Sequence, residues 1–391
     1  LTCQPRQVRK EATVHTLAVC RRPTQPELTA QVDTRKARIN GGCTATLSLA
    51  LLIPMMKQMN TVRFVIAGIG IVLWLTAPVQ GDEREVRFPS EGVVLAGTLT
   101  TPPASTKSPA LLLIPGSGAV DRNGNGDGLN TDLYRYLAQQ LAQMGYVTLR
   151  YDKRGVGASK IPANEQSGTT LSQVARDALS ALNFLRQQPE VDPKRVGVLG
   201  YEDGALIGMA LAGETPDPPK VLVCLAPPGR TPAIILRENL QQRWQSEGLS
   251  ADKIQRRLAD FDTAIAALYY RLPMPPLHED VAPYFMLPDR PYLQEFYFEN
   301  PVARLKLVKV PILLLYGELD KRVSPKQDGE LLWQHARNAG NSKVELKILS
   351  GTAHAFKSSP AGDTQEVLTN PRLPLAPALV NALKEWLSAN L

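Results

Sequence analysis

Cysteine is scarce in this sequence, and it is scarcest where it could build anything. Of four cysteines, Cys3, Cys20 and Cys43 precede residue 82, which leaves Cys224 alone in an apolar run. A lone thiol closes no internal disulfide, and no cysteine pair has metal-ligand spacing. Disulfide-scaffold and zinc-module readings are therefore excluded, and a domain of about 310 residues can bury its core without such staples. Net charge is missing too, once the chain is divided. The whole sequence is formally +7, but ten basic and three acidic residues fall within 1–81, leaving 34 of each sign in residues 82–391. That balance gives no electrostatic footprint for nucleic acid or an anionic membrane surface.

Long apolar runs are also lacking. The run from Phe64 to Leu75 falls short of the roughly 20 residues that a spanning helix needs. It follows Arg63 and exits through Val79 and Gly81, so residues 56–81 read as a secretory signal peptide cleaved after Gly81. The expected location is secreted or periplasmic, in a bacterium, with no stable membrane span in the mature protein. Residues 1–55 lie upstream of that signal; the chain opens on Leu1, and Met55, Met56 and Met59 stand just before the signal, so this segment reads as over-translated. No metal cluster and no dinucleotide loop in the right context is present, and no cofactor is implied. The "NGNGDG" run at 123–128 lacks the terminal glutamate and helical flanks of an EF-hand, and reads as a Gly/Asn/Asp-rich turn.

What the chain does have, over residues 82–391, is alternation of strand and helix, the pattern of an α/β domain with a mostly parallel sheet. "REVRF" and "VVLAGTLTT" predict an opening antiparallel pair. Buried strands are predicted at 110–116, 146–152, 195–200, 220–227, 311–317 and 343–350. Helices are expected over 131–145, 170–188, from the elbow at 202 onward, near 325–339 and near 374–389. Residues 228–308 interrupt this rhythm with a charged, Pro-rich insertion. Within it Ile254, Leu258, Phe261, Ile265 and Leu268 recur at spacings of four and three, an amphipathic helix. Such a helix either packs on the main domain or belongs to a lid over the carboxyl edge of the sheet, where open α/β folds bind ligands.

The chemistry is signalled by "VGVLGYEDGALIG", residues 196–208. A β-branched run ends in Gly200-Tyr201-Glu202-Asp203-Gly204 and passes into a small-residue helix, the frame of a G-x-S-x-G nucleophile elbow with glutamate at its centre. Asp320 lies just past one later strand, and His354, one of only four histidines, follows the next. The order elbow, acid, histidine is that of the α/β-hydrolase fold. "IPGSGAVDRNGNGDG" follows the third strand, and "YDKRGVGAS" the fourth.

With these motifs, residues 83–391 resemble bacterial secreted α/β-hydrolases of the esterase and dienelactone-hydrolase-like kind. The resemblance implies a mostly parallel eight-stranded sheet flanked by helices, with 228–308 as a helical lid insertion, and a small-molecule ester substrate. By it His354 is the base and Asp320 its orienting acid. The backbone N–H groups of Ser117 and Asp203 are the oxyanion donors, and the "YDKRGVGAS" segment matches the family's structural D-x-R-G-x-G-x-S loop. Ser117 and Ser159 are poor displaced nucleophiles, one being in the donor loop and the other in that structural turn.

Glu202 is the departure from the family's pattern. A carboxylate is favoured at a helix N-terminus among backbone N–H donors, and an ion pair with His354 is expected. Several roles stay open. Glu202 can be general base to a water attacking an ester, or a nucleophile toward halides or epoxides, whose supporting groups the sequence does not identify: Trp244 and Tyr269 lie in the insertion with their direction unknown. Attack on an ester carbonyl, giving an anhydride, ranks below both. Alternatively the carboxylate fills the oxyanion hole, and the protein is a pseudo-hydrolase that binds a small ligand.

Overall fold

The computed structural model describes residues 81–391 apart from 104–106, 127, 162–167, 287–289, 360–361 and 363–364. The segment 1–55 and the expected signal peptide, as far as residue 80, lie outside the described residues. The described residues begin with β1 (Asp82–Ser90) and β2 (Val93–Thr101), the expected antiparallel pair, and continue with β3 (Ser108–Ile114). Helix α1 (Leu133–Gln143), β4 (Val147–Tyr151), α2 (Leu171–Arg186), β5 (Val191–Tyr201), α3 (Asp203–Glu214) and β6 (Leu222–Leu225) follow in alternation.

The insertion carries α4 (Pro232–Ser246), α5 (Ala251–Tyr269), α6 (Arg290–Phe296) and α7 (Pro301–Leu305). The alternation then resumes with β7 (Ile312–Gly317), α8 (Glu330–Asn338), β8 (Val344–Leu349), α9 (Gln365–Thr369) and α10 (Pro377–Asn390).

The eight strands lie in the order β1-β2-β4-β3-β5-β6-β7-β8. Within this sheet, among the described residues, only the pairings made by β2 are antiparallel. The central strands read as unbroken apolar runs because both faces of a parallel sheet are covered. Along β3, Ala110, Leu112 and Ile114 enter one core with α2, α3 and α8, while Leu111 and Leu113 enter another with α1 and α10. The period-two alternation of a strand distributes one sequence run between two cores.

The helix expected near 325–339 is broken at its start. Pro325–Gly329 makes one wide turn before α8, because the fully buried carboxylate of Asp328 is drawn inward. It accepts the N–H groups of Gly229 and Arg230 and pairs with the Arg230 guanidinium at 3.0 Å. The amphipathic face of α5 is where its periodicity put it. Ile254, Leu258, Phe261 and Leu268 are buried, but against Leu240, Trp244, Phe285 and Leu293 of the insertion itself. The insertion thus has a core of its own.

Candidate active site

Parallel strands deliver their carboxyl ends to one edge, and the residues singled out by the sequence leave the sheet there. β3 ends in the loop holding Ser117, β5 in Glu202, β7 in the turn to Asp320 and β8 in the loop to His354. Ser117 and Glu202 come from adjacent strands, β3 and β5. His354 starts three strands from the elbow, at β8, and the chain after β8 crosses back toward it. Thr352 accepts the N–H of Leu319 on the way, and the Tyr201 hydroxyl reaches the carbonyl of His354.

At the elbow, Glu202 has φ 48° and ψ −116°, a conformation that costs of order 1–3 kcal/mol and needs its surroundings to hold it. Those surroundings are tight. A Cβ at Gly200 would run into the carbonyl of Gly204, and one at Gly204 into the carbonyl of Ile114. The two glycines that frame the motif are therefore sterically required. Backbone bonds from Glu202 N–H to Leu225 and from Ala205 N–H to the Glu202 carbonyl fix the turn.

The side chains then form one line. Asp320 Oδ1 accepts the N–H groups of Arg322 and Val323, and its Oδ2 lies 2.7 Å from His354 Nδ1. His354 Nε2 lies 2.6 Å from Glu202 Oε1, and Ser117 N–H donates to Glu202 Oε2 at 3.2 Å. Both oxygens of the carboxylate are thus engaged, one by the imidazole and one by the expected oxyanion donor. Burial works against charge on both partners. It is outweighed at His354 by the charges of Asp320 and Glu202, which push the imidazole up to about 10. At Glu202 it is outweighed by His354, with help from Arg322 and the Ser117 N–H, which bring the carboxyl down to about 2. The Glu202 side chain keeps 20% exposure, so water screens part of this attraction. At neutral pH the arrangement is a carboxylate against an imidazolium.

The aim of Ser117 N–H is set from behind. Lys153 Nζ donates to the carbonyl of Gly116, which belongs to the same peptide unit, and to that of Gly118 at 2.7 Å. In a trans peptide the C=O and N–H point opposite ways, so holding the one toward Lys153 turns the other toward residue 202. The N–H of Gly116 is taken by the buried Tyr134 hydroxyl at 2.7 Å. Ser117, Tyr134, Tyr201, Glu202 and Arg322 line a chamber of about 30 Å³, room for a single water. A larger cavity of about 570 Å³ runs along α2 and α3 past Leu179, Ile207 and Arg304, and none of Glu202, Asp320 or His354 lines it.

Comparison with known proteins gives the same frame. The family described as "Serine aminopeptidase, S33" matches residues 125–261, a stretch that contains the elbow and stops short of Asp320 and His354. An esterase of Thermotoga maritima is 28% identical over 270 residues, covering 69% of this chain and 60% of the esterase. A thiohydrolase of Arthrinium phaeospermum is 32% identical over 150 residues, 38% of this chain and 44% of that enzyme. The matched stretch thus spans less than two thirds of either relative's length. Among solved structures, an α/β-hydrolase from a Penicillium species superposes with TM-score 0.50 at 18% identity, covering 79% of this chain and 99% of that one. The fold is that of the α/β-hydrolases.

Within this fold the structure brings together Glu202, Asp320, His354 and the Ser117 N–H, and pairs Glu202 with His354 as expected. The Asp203 N–H opens α3, where an intrahelical partner is lacking. Ser159 is buried, its Oγ donating to the Asp152 carbonyl and accepting from Ala96 N–H, a structural duty that rules it out as a nucleophile. Trp244 is sealed in the insertion's core and Tyr269 stays exposed beside Tyr270 and Phe298, so neither lines the chamber at Glu202. Asp121 Oδ1 caps the turn at 123–125 by accepting two backbone N–H groups, in keeping with the turn reading of that run. Sequence reasoning missed Lys153, Tyr134 and Tyr292, whose hydroxyl donates to Asp203 Oδ2 beside the elbow. Lys153 had a local signal, its place inside the "YDKRGVGAS" loop; the two tyrosines had none.

Proposed function

We propose that this α/β-hydrolase acts on small carboxylic esters, with Glu202, His354 and Asp320 as its working side chains. One observation carries the reading: an unbroken line of hydrogen bonds from Asp320 through His354 to Glu202, ending on a backbone donor, at the sheet edge where this fold binds ligands. The likeness to an esterase supports the substrate class. In the reaction, Glu202 takes a proton from a water as the water's oxygen bonds to the ester carbon. The carbonyl oxygen, becoming an oxyanion, displaces the carboxylate from the N–H of Ser117 and is met by that of Asp203. On collapse the C–O bond to the alcohol breaks, and the leaving alkoxide takes a proton from the His354 imidazolium. Protonated Glu202 then returns its proton to neutral His354 across their 2.6 Å contact, with Asp320 holding Nδ1 throughout.

A second reading has an observation of its own. Glu202 Oε2 sits on the donor that an ester oxygen needs, and a carboxylate anchored there can attack an alkyl carbon with Oε1 once that oxygen gives up its bond to His354. Displacement of a halide or opening of an epoxide would leave an ester on Glu202 for water to cleave. Hydrolysis of p-nitrophenyl acetate separates these. Turnover by the wild type that falls by about 10²-fold or more in both Glu202→Gln and His354→Ala supports the ester reading. Turnover no higher than in the variants overturns it, and halide release or diol formation then decides for the second. Failure there as well leaves a pseudo-hydrolase that binds a small ligand.

Two wider proposals accompany this one. Residues 228–308 serve as a lid: the insertion joins β6 to β7, its Arg230 pairs with Asp328, and its Asn239 bonds the Arg322 carbonyl beside the site. Residues 56–81 export the protein from the bacterial cytoplasm as a cleaved signal peptide, which N-terminal sequencing of exported protein checks by finding Asp82 first.

A further inference from the structure

Directly after the elbow residue stands a second carboxylate, and the proposed chemistry uses only its backbone. Asp203 is buried at 3% exposure, and each of its oxygens has one partner from a different part of the fold. Oδ1 accepts the Ser117 hydroxyl at 2.5 Å, and Oδ2 accepts the Tyr292 hydroxyl at 2.6 Å. Ser117 belongs to the loop after β3; Tyr292 belongs to α6 of the insertion, where its ring stacks on Phe296. Both bonds hold the carboxyl in place, although burial and the neighbouring Glu202 charge push its pKa up from the ordinary range. Three segments far apart in sequence therefore meet on one side chain, one residue from Glu202.

We propose that Asp203 is a positioning residue that couples the insertion to the oxyanion loop. Docking of α6 through Tyr292 holds the carboxylate in the rotamer that receives the Ser117 hydroxyl, and the Ser117 hydroxyl in turn holds the peptide whose N–H faces residue 202. Undocking of α6 releases the carboxylate and loosens that peptide. Lys153 turns this peptide from behind, and the link through Asp203 steadies it from the front while the insertion is seated. The proposal rests on Ser117 N–H being the oxyanion donor in the reading above.

Amide hydrogen exchange on the full chain tests it without needing turnover. Tyr292→Phe removes one hydroxyl and nothing else; exchange is expected to rise about tenfold in the peptide covering residues 116–118, not only in 290–296. Coupling is reciprocal, so Ser117→Ala, which keeps its N–H, is expected to raise exchange in 290–296. Each variant serves if the other fails to fold. Exchange that rises only around the substituted residue, or rises nowhere, overturns the coupling. In p-nitrophenyl acetate hydrolysis the same variants are expected to lower kcat about tenfold with little change in KM, since the donor acts on the transition state. An inactive wild type overturns the ester reading while the exchange result still decides this one.

Discussion

At the scale of single residues, the question is what a carboxylate does in a place shaped for a hydroxyl. Glu202 reaches further than a serine would, far enough to put one oxygen on Ser117 N–H and the other on His354. It thereby occupies the donor and charges the base at once. Glu202→Ser is therefore expected to vacate the donor, let the imidazole fall back toward its ordinary range, and raise hydrolysis of p-nitrophenyl acetate by about 10²-fold or more. A serine variant no faster than the wild type would show that neither the filled donor nor the charged imidazole limits the rate. Much of this site was legible in the sequence, because its demands are local. Gly200 and Gly204 are needed wherever the chain turns this tightly, and Asp320 and His354 sit where strands end. Tyr134 and Tyr292 were not legible. A tyrosine that donates across 89 residues to Asp203 leaves the same mark in a sequence as one that only packs.

Among the elements, the insertion behaves as a small core beside a large one. The residues of α4, α5 and α6 bury Leu240, Trp244, Phe261 and Leu293 against each other, in a cluster separate from the two that sandwich the sheet. The periodicity of α5 revealed which face is buried but not what covers it, since a pattern of apolar residues carries no address. Separate clusters can open separately. Here Tyr292 and Phe296 pack against both cores, while Leu305 and Val308, at the insertion's end, already belong to the main one. Phe261→Ala removes the centre of the smaller cluster at a cost of about 3–5 kcal/mol. In urea, its helical signal is expected to fall in two steps, the insertion first, with the sheet and its helices unfolding later at the wild-type concentration. A single transition shifted as a whole would mean that the two cores melt as one.

For the whole molecule, the ion pair at the elbow turns into a dependence of stability on pH, and its two halves act on opposite sides. His354 is raised from 6.5 to about 10 in the folded protein, so what it contributes is fully present below pH 6.5 and lost as pH rises through 10. Glu202 is lowered from 4.5 to about 2, so its contribution is present above pH 4.5 and lost as pH falls through 2. Burial of both groups opposes these gains, and the 20% exposure of Glu202 tempers them, but the sign of each limb is set by the direction of the shift. Many other groups titrate over the same range, so the pair is read as a difference. Urea unfolding of the wild type and of Glu202→Gln, followed from about pH 3 to about pH 10, subtracts what they share. The stability difference is expected to be level between pH 4.5 and 6.5 and to shrink toward both ends. The amide cannot ionise, and it leaves His354 with Asp320 as its remaining carboxylate partner. A difference that does not change with pH would mean that Glu202 and His354 hold no more charge against each other folded than unfolded, and the carboxylate–imidazolium pair on which both the blocked donor and the proton return depend would be lost with it.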